Sequence, residues 1–282
     1  MSPPGRPKGE FRRAQPAGSP VSPAQPQLTE PARVQCLGTE VSAMTFDGAQ
    51  LALQALVHQG VGCYVSPATV YSLMLGVDLP GYRRLVNAAA LVTADGMPVV
   101  WLQRWLGQPT AERVHNDDLW FACCARFTGW RHFLVGGREG QPEVVAETLR
   151  ARFPGINIVG MQATPQRPVP AATTADAVAR IRQSGADVVW VGLGTPAQDE
   201  WMQAVVHQVA VPMVGVGSAF DLLAGRTRAA PDWMKRTGLQ WLFRLLQEPR
   251  RLAWRYLYYN TRFVAAALRQ CLIDKRGGGV RP

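Results

Sequence analysis

Several signatures that would announce a chemistry outright are missing from this sequence. No stretch approaches the roughly 18 uninterrupted apolar residues of a membrane-spanning helix, so any membrane contact is expected to be peripheral. Cysteine is scarce: the five (Cys36, Cys63, Cys123, Cys124 and Cys271) are odd in number and form no C-x-x-C pair. That excludes a disulfide framework or a zinc ribbon and makes the cytoplasm the expected compartment. The N-terminus carries basic residues but no apolar core, which argues against secretion. Neither a G-x-G-x-x-G fingerprint nor a Walker A loop occurs, so dinucleotide-dependent oxidoreductase and ATP-binding readings are unsupported. The four histidines, His58, His115, His132 and His207, show no metal-ligand spacing and no Ser/His/Asp partners.

What is present is a chain of 282 residues, 47% hydrophobic and 18% charged, long enough to bury a full core. Its formal charge of +10 points to an anionic partner. The excess is confined to one end. Residues 226–282 hold 13 Lys+Arg against 3 Asp+Glu, whereas residues 1–225 hold 17 of each. Residues 1–33 contain eight of the 22 prolines and few large apolar side chains, the composition of a flexible tail.

Between them, strand-like and helical stretches alternate. Expected strands are Val61–Val65, Leu91–Thr93, His132–Val135, Ile156–Val159, Asp187–Val191 and Pro212–Val216. Expected helices include Asp47–Gln59 with Asp47 as N-cap, Pro67–Leu75, Tyr82–Ala89, Glu139–Arg152, Asp176–Gln183 and a segment running from Thr195-Pro196 to about His207. Strands separated by helices imply parallel pairing. The expected fold is therefore α/β, a Rossmann-like, mostly parallel sheet flanked by helices over residues 34–225. A helical, basic C-terminal appendage covers 226–273, with a short flexible tail at 274–282.

Three glycine-rich turns follow expected strands: Gly136-Gly137-Arg138-Glu139-Gly140, Gly192-Leu193-Gly194-Thr195-Pro196 and Gly215-Val216-Gly217-Ser218. Each can present backbone N–H groups to an anion or can simply be tight strand–helix packing; together they predict a nucleotide site on the carboxyl edge of the sheet. Asp95, after a strand and before a helix, is placed to act as a general base or to serve as a turn residue. Arg113 can bind phosphate or pair with Asp117-Asp118, and Gln198 can bond a sugar hydroxyl or face solvent. The chain has no D-x-D, the acidic pair that commonly carries a metal-bound nucleotide sugar, so protein cations and helix ends are expected to replace a metal. In the appendage, Trp241-Leu242-Phe243-Arg244 and Pro249-Arg250-Arg251-Leu252-Ala253-Trp254-Arg255-Tyr256 interleave arginines with large amphipathic groups. That suits an anionic lipid surface, a packed helical hairpin with a basic rim, or nucleic acid.

The order of motifs resembles the WecG/TagA/CpsF glycosyltransferases, glycosyltransferase family 26. It comprises Thr93-Ala94-Asp95-Gly96-Met97-Pro98, then Phe133-Leu134-Val135-Gly136-Gly137, then Gly192-Leu193-Gly194-Thr195-Pro196-Ala197-Gln198-Asp199-Glu200-Trp201. Last come Gly215-Val216-Gly217-Ser218-Ala219-Phe220-Asp221, Gly238-Leu239-Gln240-Trp241 and Glu248-Pro249-Arg250-Arg251. The likeness spans about residues 45 to 263. It implies an inverting hexosyl- or N-acetylhexosaminyl-type transferase that uses a UDP-sugar, needs no metal cofactor and acts on a saccharide carried by undecaprenyl diphosphate in surface-polysaccharide or wall-polymer synthesis. It further implies peripheral attachment, through the appendage, to the inner face of the plasma membrane, and leaves homo-oligomerisation open. Carried over by motif, Asp95 resembles the general base and Arg113 an active-site arginine. Ser66, Gln198, Arg244 and Arg251 fall on the substrate side, and Gly136, Gly137, Gly192, Gly194 and Asp221 on the nucleotide side. The chain departs from the family at Ser66-Pro67-Ala68, where Thr-x-Asn is common, and at His115-Asn116-Asp117-Asp118, which replaces a glycine-containing stretch. The rival expectation is a non-catalytic basic protein that binds nucleotide or nucleic acid.

Overall fold

The computed structural model describes residues 31–277 apart from 232, 235 and 236, and apart from the side chains of 251 and 275–277. Most of the expected proline-rich tail and the end of the C-terminal one lie outside the described residues.

Six strands form one all-parallel sheet: β3 (Cys63–Ala68), β4 (Leu91–Ala94), β5 (Arg131–Gly136), β6 (Asn157–Gln162), β7 (Val188–Gly192) and β8 (Pro212–Gly215), in the order β4-β3-β8-β7-β5-β6. A sheet covered on both faces needs apolar residues on both. The run Val188-Val189-Trp190-Val191 meets that need and is fully buried. One face carries α1 (Phe46–Gln59), α5 (Asn116–Arg126), α6 (Gln141–Arg152) and α9 (Ala219–Leu223). The other carries α2 (Val70–Asp78), α3 (Pro80–Asn87), α4 (Met97–Trp105), α7 (Ala171–Ser184) and α8 (Ala197–Val205). The Rossmann-like α/β expectation holds.

Local chemistry shifts several boundaries. Thr45, not Asp47, caps α1, its hydroxyl accepting from Gly48 N–H at 3.0 Å. Pro67 does not open a helix. It lies in β3, where pairing to β8 ends at Val65, so its missing N–H leaves no gap on that side. Helix α2 starts three residues later, at a capping box made by Thr69 and Ser72. Two elements were not foreseen. The antiparallel hairpin β1 (Arg33–Cys36) and β2 (Thr39–Ser42) packs beside β4, where Ser42 Oγ accepts from Val92 N–H; α5 is the other.

The C-terminal region consists of α10 (Gln240–Gln247) and α11 (Pro249–Gly277). Pro249, the one clear helix breaker in the C-terminal stretch, separates the two helices and opens α11, which continues past the expected end at 273. It is anchored on the domain. Arg262 donates twice to the Asp78 carboxylate, Gln270 bonds Leu37 N–H and the Gln35 carbonyl, and Phe263 and Cys271 are buried in the core.

Beneath the sheet, Trp120, Trp190 and Phe220 stack, and Trp190 Nε1 donates to His132 Nδ1 at 3.0 Å. Burial holds His132 down to about 4 from its ordinary 6.5. The unfolded chain therefore takes up a proton that the folded one refuses, and stability present above 6.5 is lost as pH falls towards 4. This contribution is worth about 3 kcal/mol. A His132→Asn variant, which keeps an acceptor for Trp190, is expected to lose less stability than the wild type between those pH values, as read by urea unfolding.

Candidate active site

The carboxyl ends of β4, β3, β8 and β7 open into one cavity of about 750 Å³, roofed by α4, α10 and α11. Its floor is organised by Asn116. The Asn116 carboxamide accepts from Thr93 Oγ at 2.7 Å and donates to the Gly215 carbonyl at 2.5 Å, joining the ends of β4 and β8. Its backbone N–H, in the first turn of α5, donates to Asp95 Oδ1 at 3.0 Å. Asp95 lines the cavity with that oxygen held. The geometry thus makes Asp95 more than a turn residue: it is an oriented carboxylate facing a void.

Arg113 makes one of its two expected pairings, the ion pair to Asp118, and also reaches the cavity. Its Nη2 donates to Asp118 and its Nη1 to Gln240 Oε1, each at 2.7 Å, while the guanidinium lines the cavity. Gln198 is fully buried. Its Oε1 accepts from Gly217 N–H at 2.9 Å, which fixes the amide, and its Nε2 has no partner among the described residues. A fixed donor at a cavity wall can bond an acceptor brought there. Arg244 donates to Ser218 Oγ and lines the same cavity. The Arg251 side chain lies outside the described residues.

Asp117 and Asp199 are buried carboxylates, each pushed up to about 6 by desolvation. Asp117 stands 3.9 Å from His115. Asp199 accepts from Ser66 Oγ at 2.6 Å and Tyr82 Oη at 2.8 Å, bonds that counter the rise.

Other expected site residues sit elsewhere. Ser66 is fully buried with its hydroxyl given to Asp199, so it supports the floor rather than meeting a substrate. Gly194 lines the cavity, but Gly136, Gly137 and Gly192 do not. Packing explains the two strand-end glycines: a Cβ on Gly136 would come within 2.6 Å of the Gly192 carbonyl, and one on Gly192 within 2.3 Å of the Phe220 ring. Asp221 is also off the cavity, accepting from Gln141 Nε2 at 3.0 Å. Conversely, His115, Asn116, Asp117, Gln240 and Arg255 all line the cavity without having been singled out. Arg255 lies over the Tyr71 ring at 5.0 Å, its Nε unpartnered among the described residues. For the first three, the departure at 115–118 was the available signal. Gln240 stood within a quoted motif, and nothing in its type marked it out.

An oriented carboxylate and several cations share one cavity at the carboxyl edge of a Rossmann-like sheet, the position where α/β enzymes of this architecture bind their ligands. Residues 34–277 match the model of the glycosyl transferase WecG/TagA/CpsF family, and the chain belongs to that family. It is accordingly a glycosyltransferase of cell-wall or polysaccharide synthesis. No helix among the described residues is long and apolar enough to cross a membrane.

The Ser66 assignment is directly testable. Ser66→Ala removes one bond to a buried carboxylate and is expected to cost about 1–3 kcal/mol in urea unfolding. Because the Asp199 carboxyl is raised to about 6, its contribution is full below the ordinary 3.8 and is lost as pH rises through 6. Without the Ser66 bond that loss deepens, so the deficit of the variant should grow between pH 5 and 7.

Proposed function

We propose that this chain is an inverting transferase that moves a hexosyl or N-acetylhexosaminyl group from a UDP-sugar to a saccharide carried on undecaprenyl diphosphate, in surface-polysaccharide or wall-polymer synthesis. The observation that carries the reading is the Asp95 carboxylate, with one oxygen held by Asn116 N–H and the group facing a cavity that Arg113, Arg244 and Arg255 also line. Asp95 takes the proton of an acceptor hydroxyl. The acceptor oxygen bonds to the anomeric carbon from the face opposite the diphosphate. The bond from that carbon to the phosphate oxygen breaks, and its electron pair leaves with UDP. Cations positioned before the reaction lower the energy of the charge that develops on the diphosphate; Arg113 and Arg244 take that part. The Gln198 Nε2–H donor meets an oxygen of the bound sugar or phosphate.

A lipid-linked acceptor is supported by the other arm of the cavity. Met97, Trp101 and Trp105 of α4 face Phe263, Val264 and Leu268 of α11 there, an apolar channel continuous with the polar floor. Within it Trp101 and Trp105 are half exposed, and on the same α11 that lines the channel Trp254 and Leu257 stand 74% and 66% exposed, side chains suited to headgroup depth. The enzyme would work on the inner face of the membrane.

Two measurements check this. Asp95→Asn is expected to keep UDP affinity while losing about 10²- to 10⁴-fold in transfer rate, assayed with a UDP-sugar panel and a lipid diphosphate saccharide; a folded, fully active variant would sink the base assignment. Trp254→Glu with Leu257→Glu is expected to abolish co-sedimentation with anionic liposomes while leaving UDP binding intact.

A further inference from the structure

Two polar side chains of the cavity floor lack the partner that their chemistry calls for. Asp117 sits in the first turn of α5, only 8% exposed, and lines the cavity. No hydrogen bond reaches its carboxylate among the described residues; His115 Nδ1 stands 3.9 Å away, beyond hydrogen-bond length. A carboxylate that served only the start of a helix would sit in water or accept from the N–H groups of its own turn. Its neighbour Asp118 takes the ordinary course, partly exposed and paired with Arg113 at 2.7 Å. Burial is the main cause that pushes the Asp117 carboxyl up to about 6.

The second group is Gln198 Nε2, fully buried and unpartnered among the described residues, its direction fixed by the Gly217 N–H at the other end of the amide. The two groups stand on one floor. Asn116, which precedes Asp117, donates to the Gly215 carbonyl, and a Cβ on Gly215 would come within 2.8 Å of Gln198 Nε2. An acceptor without a donor and a donor without an acceptor suit a ligand that carries both, and sugar hydroxyls do.

The surrounding charges select which sugar. Asp117 feels both Asp95 and Arg244. In the transferase reading, on which this inference rests, Asp95 takes the acceptor's proton and Arg244 faces the diphosphate, and the transferred sugar lies between those two.

We propose that Asp117 and Gln198 read the transferred sugar: the Asp117 carboxylate accepts a hydroxyl hydrogen from it, Gln198 Nε2 donates to one of its oxygens, and the donor substrate is a UDP-sugar with no carboxylate of its own. A uronate would bring a third negative charge beside Asp95 and Asp117, where Arg113 and Arg244 are engaged by the diphosphate. Like charges repel more strongly in a partly buried site than in water. A neutral hexose or N-acetylhexosamine instead supplies the buried carboxylate with its missing donor. Asp117 is thus a specificity-determining residue and takes no part in the bonds that form and break.

The test is a binding and transfer panel of UDP, neutral UDP-hexoses and UDP-N-acetylhexosamines, and their C6-carboxylate counterparts, run on the full chain. The wild type, which needs no variant to fold, should bind its best neutral donor about tenfold or more tightly than the matching uronate. Asp117→Asn should bind UDP alone as the wild type does. For the neutral donor its KM should rise about tenfold with kcat little changed, and the preference over the uronate should narrow by a similar factor. A wild type that binds a uronate as tightly as its neutral counterpart overturns the proposal, as does a folded Asp117→Asn variant with an unchanged KM. A variant that loses affinity for UDP alone in the same proportion assigns Asp117 to the frame of the site, and overturns it too. Failure of the wild type to bind UDP at all is a distinct result, which overturns the donor reading and this inference together.

Discussion

The site depends on how Asn116 spends its hydrogen bonds. A buried carboxamide must pair both its oxygen and its NH₂, and Asn116 does so with Thr93 on β4 and Gly215 on β8. Those strands flank β3, so the bond pair spans the carboxyl end of the strand between them. With the side chain committed, the backbone at 116 cannot turn, and its N–H is aimed at Asp95. One residue thereby fixes the sheet edge, the start of α5 and the orientation of the carboxylate.

The same device recurs on the far side of the floor. Gln198 is oriented by Gly217 N–H, and the next residue, Asp199, is held by Ser66 and Tyr82. Leaving the polar Nε2 of Gln198 unpaired, and keeping Asp117 and Asp199 buried with carboxyls raised to about 6, costs stability at neutral pH. The cost falls on residues beneath or beside one cavity, where preorganised donors and charges have a use.

Much of the framework was legible because apolar runs separated by helices permit few topologies; all six expected strands exist, with ends displaced by at most three residues. The hairpin of β1 and β2 escaped notice because its strands are four residues each and it follows a proline-rich tail. Helix α5 escaped because Asn116-Asp117-Asp118 reads as a polar loop, although acidic residues in a first turn favour a helix start. Of the residues expected at the site from strand-end position and motif, Asp95, Arg113, Gln198, Gly194 and Arg244 line the cavity. The glycines at 136 and 192 were assigned to phosphate by a pattern that backbone packing produces equally well. Only three-dimensional contact could have paired Gln240 with residues 125 and 127 positions earlier.

The charge asymmetry changes meaning once side chains are placed. A basic segment facing an anionic membrane gains about 1 kcal/mol per Lys or Arg near the surface. Yet the cations of the C-terminal region divide their attention: Arg244 and Arg255 turn into the cavity, and Arg262 is bound to Asp78. Arg250 and Arg269 remain exposed. With part of the excess thus directed inward, electrostatics alone accounts for less of an attachment than the formal charge implies. Under the proposed attachment, the exposed apolar side chains Trp101, Trp105, Trp254, Leu257 and Leu268 supply a correspondingly larger share. Under the proposed function the excess positive charge serves two anions, the diphosphate inside the cavity and the membrane surface outside it.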